Sequence, residues 1–178
     1  IPIKDLISFV RQVNREPKLL LAEHFISKGH IVADLKLEFD EFGKVKDNYI
    51  INGLVNDGQI SLLNKSLSKL NFIFQITDKQ FKFNEIKLSL NSKNVIIPEL
   101  IALKKDNEFF VSGEINNKDL SLKEQDIKDF VDNEFIKINL KEILFSSDSD
   151  FTFKIDQNFK LNNLDIKSKI DLDNLKFN

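Results

Sequence analysis

The chain has 178 residues, and its 26 basic and 28 acidic side chains leave a net charge of −2. A nucleic-acid-binding protein needs a surplus or a stripe of positive charge, so this near-neutral balance argues against that class. The 42% of apolar residues is enough for a core, whereas the absence of cysteine excludes disulfides, thiolate metal sites and cysteine nucleophiles.

Residues 1–30 are predicted to form a helical lead-in. Apolar residues recur there at helical spacing, at Leu6, Ile7, Phe9, Val10 and Val13. Pro17 suits the first turn of a second helix, predicted over residues 19–28, and Gly29 suits its C-terminal cap.

Residues 31–94 are predicted to form a first β unit, because the apolar period changes to two. The alternating apolar positions are Ala33, Leu35, Leu37 and Phe39, then Leu70, Phe72, Phe74 and Ile76, and then Phe81 and Phe83. Residues 49–55 are predicted to form a further strand between the first two sets. Asn56-Asp57-Gly58 predicts a turn that closes the second of these strands, and Asp78-Lys79-Gln80 predicts the next turn.

Residues 95–178 are predicted to form a second β unit with an inserted helix near 122–135. Strands are predicted at 95–103 and 109–115, and strand alternation resumes at Ile136 and continues through Phe151, Phe153, Ile155, Ile166, Ile170 and Leu172. The helix prediction is based on the capping-box pattern Ser121-Leu122-Lys123-Glu124 and on helical spacing of Ile127, Phe130, Val131 and Phe135.

The two β units repeat each other. Residues 49–62 align without gaps to residues 109–122, so that Gly53 matches Gly113. Phe72-x-Phe-x-Ile76 matches Phe151-x-Phe-x-Ile155, and the growth of the offset from 60 to 79 residues is explained by the inserted helix. Repeated units of this kind stack on their neighbours to bury a shared apolar face.

Both copies also change phase at one place. Apolar residues are at odd positions at Phe81 and Phe83 and at even positions from Ile86 onward, and the same change follows Phe159 and Leu161. A change of phase within a strand predicts a β-bulge at equivalent positions of the two copies.

A short strand with Gly, an Asn-rich turn, a Ser-Leu strand and a Phe-x-Phe-x-Ile hairpin together resemble the AsmA-like superfamily of bacterial envelope proteins, which includes the TamB and YhdP types. The resemblance covers residues 31–178, and the inserted helix departs from the family pattern. It implies a curled, groove-like (taco-shaped) β-sheet with an apolar interior that moves phospholipid between membranes in Gram-negative bacteria.

The resemblance also implies a periplasmic location and an inner-membrane anchor outside these residues. The chain contains no methionine, and it ends within a strand pattern at Leu175-Lys176-Phe177. We therefore expect it to be a piece of a longer protein, with phospholipid and the neighbouring β repeats of the parent chain as partners.

The repeated aromatic positions are the candidate binding residues. The predicted lipid-groove lining consists of Phe72, Phe74, Ile76, Phe81, Phe83, Phe151, Phe153, Ile155, Phe159 and Leu161. From the residues alone, this face fits equally well an open wall for acyl chains and the closed core of a structural or adhesive β-repeat module. The family resemblance favours the open groove.

The sequence contains few residues in patterns typical of catalytic or cofactor-binding sites. We therefore expect a protein that is not an enzyme and that uses neither a metal nor another cofactor. The only histidines, His24 and His30, are six residues apart, which places them on different faces of a helix. The paired carboxylates, at Asp148 and Asp150 and at Asp171 and Asp173, are predicted to be solvated. The five glycines form no phosphate-binding cluster.

Overall fold

The computed structural model describes residues 1–5, 8, 26–43, 46, 48–62, 65–90, 93–106, 108–126, 140–156 and 160–177. These residues contain eight long β-strands, which confirms the prediction of a mainly β protein. The strands are β1 (Ile26–Lys36), β2 (Ile50–Leu62), β3 (Lys65–Thr77), β4 (Gln80–Leu90), β5 (Lys93–Lys105), β6 (Glu108–Lys123), β7 (Leu140–Ile155) and β8 (Leu161–Phe177).

The eight strands form one antiparallel sheet in sequence order, so that each strand pairs with the next along the chain. The sheet is open, with β1 and β8 at its two edges. The first residues of the chain lie along β1, where Pro2 bridges to His30 and the Ile31 amide donates to the Ile1 carbonyl at 2.9 Å. Among the described residues, no helix reaches the length and apolar character that a membrane crossing requires.

The predicted helical lead-in differs from the structure at its end. Residues 26–28, predicted as the end of a helix, begin β1, and the predicted cap Gly29 lies inside that strand with φ +132°. A Cβ at Gly29 would lie 2.8 Å from the Ile3 side chain, so glycine is needed here for close packing rather than for helix capping. Residues 3–5 are helical, and the rest of the predicted helices lies outside the described residues.

The turn predicted at Asn56-Asp57-Gly58 is wrong, because β2 continues through these residues. Val55 lies opposite Phe72 and Gly58 opposite Leu70, so β2 advances three residues where the paired strand β3 advances only two. Asp57 has a left-handed backbone (φ +50°), as one residue of a β-bulge often does. Asn, Asp and Gly favour this conformation in turns and bulges alike, which explains the error. The turn predicted at residues 78–80 is confirmed between β3 and β4.

The predicted bulges are present at equivalent positions of the two copies. On β4 the chain advances three residues from Asn84 to Lys87, while the paired strand β3 advances only two. On β8 it advances three residues from Asn162 to Asp165, while the paired strand β7 again advances two. The residues in left-handed conformation, Glu85 and Asn163, both have φ +53° and are 78 residues apart. The repeat therefore corresponds to a repeated backbone irregularity, with β2–β4 matching β6–β8.

The inserted helix begins later than predicted. Ser121, expected as its cap, lies in β6, and its hydroxyl donates to Glu142 Oε1 of β7 at 2.8 Å. Residues 124–126 are helical, and the Lys123 amide donates to Asp126 Oδ2 at 2.9 Å, as at a helix N-terminus. The strand ladder continues to Lys123 because β7 pairs with it that far. Residues 127–135 lie outside the described residues.

The same Glu142 carboxylate joins three strands. Its Oε2 accepts a hydrogen bond from Lys176 Nζ of β8 at 2.6 Å, in addition to the Ser121 hydroxyl on its other oxygen. The Lys176 ammonium and then the Ser121 hydroxyl lower the pKa of Glu142 below its ordinary value. This contact links the C-terminal part of β8 to β7 and β6 at the surface.

The bulge on β4 predicts opposite effects for two neighbouring glycine substitutions. Glu85→Gly removes a Cβ from a left-handed backbone, so we expect it to stabilise the fold by about 0.5–1 kcal/mol after the entropic cost of glycine is subtracted. Lys87→Gly, at a position that is also exposed, should destabilise it by about 0.5–1 kcal/mol. Urea unfolding midpoints measure both changes, and an equal loss of stability in the two variants would refute the bulge assignment.

Candidate functional site

Cross-strand pairing places two complete rows of uncharged, non-polar residues on one side of the sheet, which we call the apolar face. The first row, from β1 to β8, consists of Ala33, Gly53, Phe74, Phe83, Leu100, Gly113, Phe151 and Ile166. The second row, from β1 to β7, consists of Leu35, Ile51, Ile76, Phe81, Ala102, Val111 and Phe153. Directly paired residues of a sheet share a face, so these rows form one apolar strip across the molecule.

The row between them points to the other side, which we call the polar face. It consists of Asp34, Asn52, Gln75, Lys82, Ile101, Ser112, Thr152 and Asp165. The Gln75 amide donates to Asn52 Oδ1 at 2.9 Å, and Lys82 forms an ion pair with Glu99. Over these three rows, one side of the sheet is therefore apolar and the other is mainly polar.

A glycine lies opposite an aromatic ring at the same place in each copy. Gly53 pairs with Phe74 and Gly113 with Phe151, and a Cβ at either glycine would lie 2.5 or 2.6 Å from the ring's Cζ atom. Each ring therefore packs against the backbone of the neighbouring strand at the glycine, in the arrangement that compensates for glycine within a sheet. Phe74 and Phe151 are accordingly 5% and 9% exposed.

These pairs correct the predicted alignment of the aromatic residues. The sequence match equates Phe74 with Phe153, whereas the pairing with glycine makes Phe151 the structural equivalent of Phe74. The true offset at this point is 77 residues rather than 79. A shift of two residues leaves every side chain on the same face, so the apolar period alone could not reveal it.

The aromatic rings of the apolar face form two clusters. The first is built around Val55 and Phe74, and Ile3 from the start of the chain packs against it. The second is built around Ala102, Val111 and Phe151. Each of the two clusters contains paired rings: Phe72 meets Phe83 at 5.6 Å between centroids, and Phe151 meets Phe153 at 5.9 Å.

One ring contact spans three strands. The centroids of Phe81 on β4 and Phe109 on β6 are 5.4 Å apart. Two strands separated by a third are roughly 9.5 Å apart, so the rings must lean towards each other over the intervening strand. Ala102 occupies that position on β5, and its small side chain leaves room for them.

Eight of the ten predicted lining residues lie in these two clusters. Phe72, Phe74, Ile76 and Phe83 belong to the first, and Phe81, Phe151, Phe153 and Ile155 belong to the second. Leu161 lies opposite Ile155 on the edge strand and is 50% exposed. Phe159 lies outside the described residues.

The prediction omitted several members of the same face. Val55, Leu100, Ala102, Val111 and Phe109 are core or packed residues of the clusters. Their alternation is present in the sequence, but the predicted lining contained only residues that match between the two copies. Ile3 could not have been found by periodicity, because its contact is made by a segment that is distant in sequence.

The apolar face is only partly covered in the described part of the chain. No large side chain there is less than 2% exposed, and most members of the two clusters are half-buried. Strand packing there is between consecutive strands of the single sheet. The described residues therefore contain no second β-sheet that packs over this face.

Four charged residues of β7 and β8 line a depression on the polar face. A shallow depression of about 510 Å³ on the polar side is lined by Asp148, Asp150, Lys167, Lys169 and neighbouring polar residues, so it offers no apolar wall. The predicted solvation of Asp148, Asp150, Asp171 and Asp173 is confirmed, since all four are exposed. Among the described residues, no three His, Asp or Glu side chains are grouped closely enough to hold a metal ion.

No protein-family model, curated protein or solved structure matches the chain. The resemblance to the AsmA-like superfamily therefore stays a prediction.

The glycine–phenylalanine pair predicts a specific stability effect. Gly113→Ala places a methyl group 2.6 Å from Phe151 Cζ and 2.9 Å from the Glu99 carbonyl oxygen, so the ring must move. We expect a loss of about 1–3 kcal/mol in the free energy of unfolding. Ser112→Ala, on the neighbouring exposed position, should change it by less than about 0.5 kcal/mol.

Thermal unfolding followed by circular dichroism compares the two variants. A Gly113→Ala protein as stable as the Ser112→Ala protein would show that the ring is not held against the glycine backbone.

Proposed function

We propose that this chain is a non-enzymatic segment of an AsmA-like cell-envelope protein, and that its apolar face holds phospholipid acyl chains during transport between membranes. In this proposal the sheet curls around the apolar face to form a taco-shaped groove. The parent protein lies in the periplasm, anchored to the inner membrane by a segment outside these residues, and neighbouring repeats of the parent extend the groove.

The observation that carries the proposal is the partly covered apolar strip. It crosses the sheet from β1 to β8 in the first row without a charged side chain, and its cluster members are mostly half-buried. A continuous apolar surface that is not fully covered often marks a binding site, because its remaining contact with water is unfavourable. The lean of Phe81 towards Phe109 is in the direction that concave curling of the sheet would produce.

Acyl chains fit such a surface because they need no particular polar partner. Each methylene group removed from water contributes about 0.8 kcal/mol, so two chains can be held by area alone. The headgroup would remain in water at the rim, where the apolar rows end. A residue such as Lys104, which lies opposite Phe109 beside the second cluster, is placed to meet a headgroup phosphate.

The alternative is a structural or adhesive β-repeat module with a closed core. A closed core would be expected to contain fully buried large side chains, and the described residues contain none below 2% exposure. This supports the open groove over the closed module.

The first test is lipid extraction from the purified 178-residue chain, followed by mass spectrometry against a mock purification. The proposal predicts phospholipid at close to stoichiometric amounts. A folded chain without phospholipid, which also takes up none from vesicles, would contradict it.

A matched pair of variants locates the binding surface. Phe81→Asp introduces a carboxylate into the half-buried centre of the apolar face, so we expect roughly fivefold less bound phospholipid. Leu103→Asp, on the polar side of the adjacent strand β5 and 49% exposed, should retain the lipid of the unsubstituted chain. Circular dichroism confirms that both variants are folded, and equal losses of lipid in the two would refute the assignment to this face.

A further inference from the structure

The last strand of the sheet, β8, presents a long exposed edge. It is a 17-residue strand that pairs with β7 on one side, and almost all of its side chains are exposed. An edge strand of this length has a row of backbone amide and carbonyl groups available to a further strand. The other edge differs, because residues 1 and 2 lie along β1 and pair with it at His30 and Ile31.

The central part of β8 has a self-complementary charge sequence. Residues 167–173 read Lys-Ser-Lys-Ile-Asp-Leu-Asp, so two lysines precede Ile170 at the spacing at which two aspartates follow it. In an antiparallel pair of two such strands centred on Ile170, Lys169 lies opposite Asp171 of the second copy. Lys167 then lies opposite Asp173 of the second copy, and symmetry gives four opposite-charge pairs.

The pattern selects this register over its neighbours. A shift of one residue would bring apolar side chains opposite charged ones, because successive residues point to opposite faces. A shift of two residues in one direction places Lys169 opposite Lys169 of the second copy. A shift of two residues in the other direction places Asp171 opposite Asp171 of the second copy. An in-register parallel pair would place every charge opposite the same charge. Only the antiparallel register centred on Ile170 pairs all four charges of the segment with opposite charges.

The β7 side pairs no charged residue with Asp171, whose carboxylate forms an exposed ion pair with Lys169 of the same strand at 3.8 Å. On that side Lys169 lies opposite Asp148 and Lys167 opposite Asp150, whereas Asp171 lies opposite Ser146. All four charged side chains of the β8 segment are exposed. Pairing with a second copy would therefore place each lysine between two carboxylates, one from β7 and one from the second copy.

We propose that β8 is a self-association edge, at which two copies of this chain pair antiparallel about Ile170 and join their sheets into one. The interface is isologous, as closed dimers require, since the same strand contributes from both copies. It uses the backbone edge and the charges of the polar face, so it does not depend on acyl-chain binding. Directly opposite charges in a sheet stabilise the pairing, whereas like charges oppose it.

The absence of cysteine allows a direct test of the register. Ile170→Cys places its thiol opposite the same thiol of the second copy, within reach of a disulfide. Ser168→Cys is the matched control, because its position faces Leu172 of the second copy and the two thiols would be roughly 13 Å apart. We expect oxidation to give a covalent dimer for Ile170→Cys but not for Ser168→Cys, on a non-reducing gel.

A charge-reversal series tests the electrostatic part in the full 178-residue chain. The double variant D171K/D173K creates four like-charge pairs and should raise the dimer dissociation constant at least tenfold in sedimentation equilibrium. The control D34K/E114K makes the same change in charge at exposed positions on β1 and β6, outside β8, and should dimerise like the unsubstituted chain.

Mixing two variants of opposite charge should restore the pairing that each variant has lost. An equimolar mixture of D171K/D173K with K167D/K169D restores four opposite-charge pairs and should form a heterodimer that neither variant forms alone. A monomeric unsubstituted chain, a dimer insensitive to D171K/D173K, or equal cross-linking of the two cysteine variants would each overturn the proposal. In a longer parent chain, a further strand paired with β8 would block this edge, so a monomeric parent chain that gives no Ile170→Cys cross-link would also overturn the proposal.

Discussion

The register between neighbouring strands determines what lies on each face of this sheet. Because side chains alternate along every strand, a slip of one residue between two strands would exchange their apolar and polar sides. The eight strands instead align so that Phe74, Phe83 and Phe151 share one row with two glycines, while Gln75, Lys82 and Thr152 share the next row on the opposite side. The two-sided surface, and with it any binding function, depends on this alignment.

The bulges adjust that alignment and do not disrupt it. On β4, the left-handed residue Glu85 changes the phase of the strand, so that Phe83 before it and Ile86 after it are both at least half-buried. The equivalent change at Asn163 occurs on β8. On β8 the bulge keeps Leu161, opposite Ile155, and Ile166, opposite Phe151, on the same apolar side of the sheet.

The sequence alone predicted the mainly β fold, the repeat and the repeated bulge, because each leaves a mark in the spacing of apolar residues. It also placed eight of the ten predicted lining residues on the observed clusters. It failed where spacing carries no information. The segment Asn56-Asp57-Gly58 has the same chemistry in a turn and in a bulge, and the two-residue shift between Phe74 and Phe151 leaves the faces unchanged. The packing of Ile3 on the first cluster is a contact between distant parts of the chain.

The two surfaces of the molecule point to different interactions. The apolar face offers area without polar partners, which suits flexible hydrocarbon chains, whereas the edge of β8 offers backbone groups and an ordered charge pattern, which suits another strand. Joining two copies at that edge would also extend the apolar face, because residues such as Ile170 and Leu172 alternate with the charged ones along β8.

The central claim is that acyl chains contact one face of the sheet, and isoleucine methyl signals can test it by NMR. A phospholipid with a nitroxide on its acyl chain should broaden the methyl signals of Ile51, Ile76 and Ile155 on the apolar face. It should leave those of Ile73 and Ile101 on the opposite side sharp. Equal broadening on both faces, or none on the apolar face, would contradict the account.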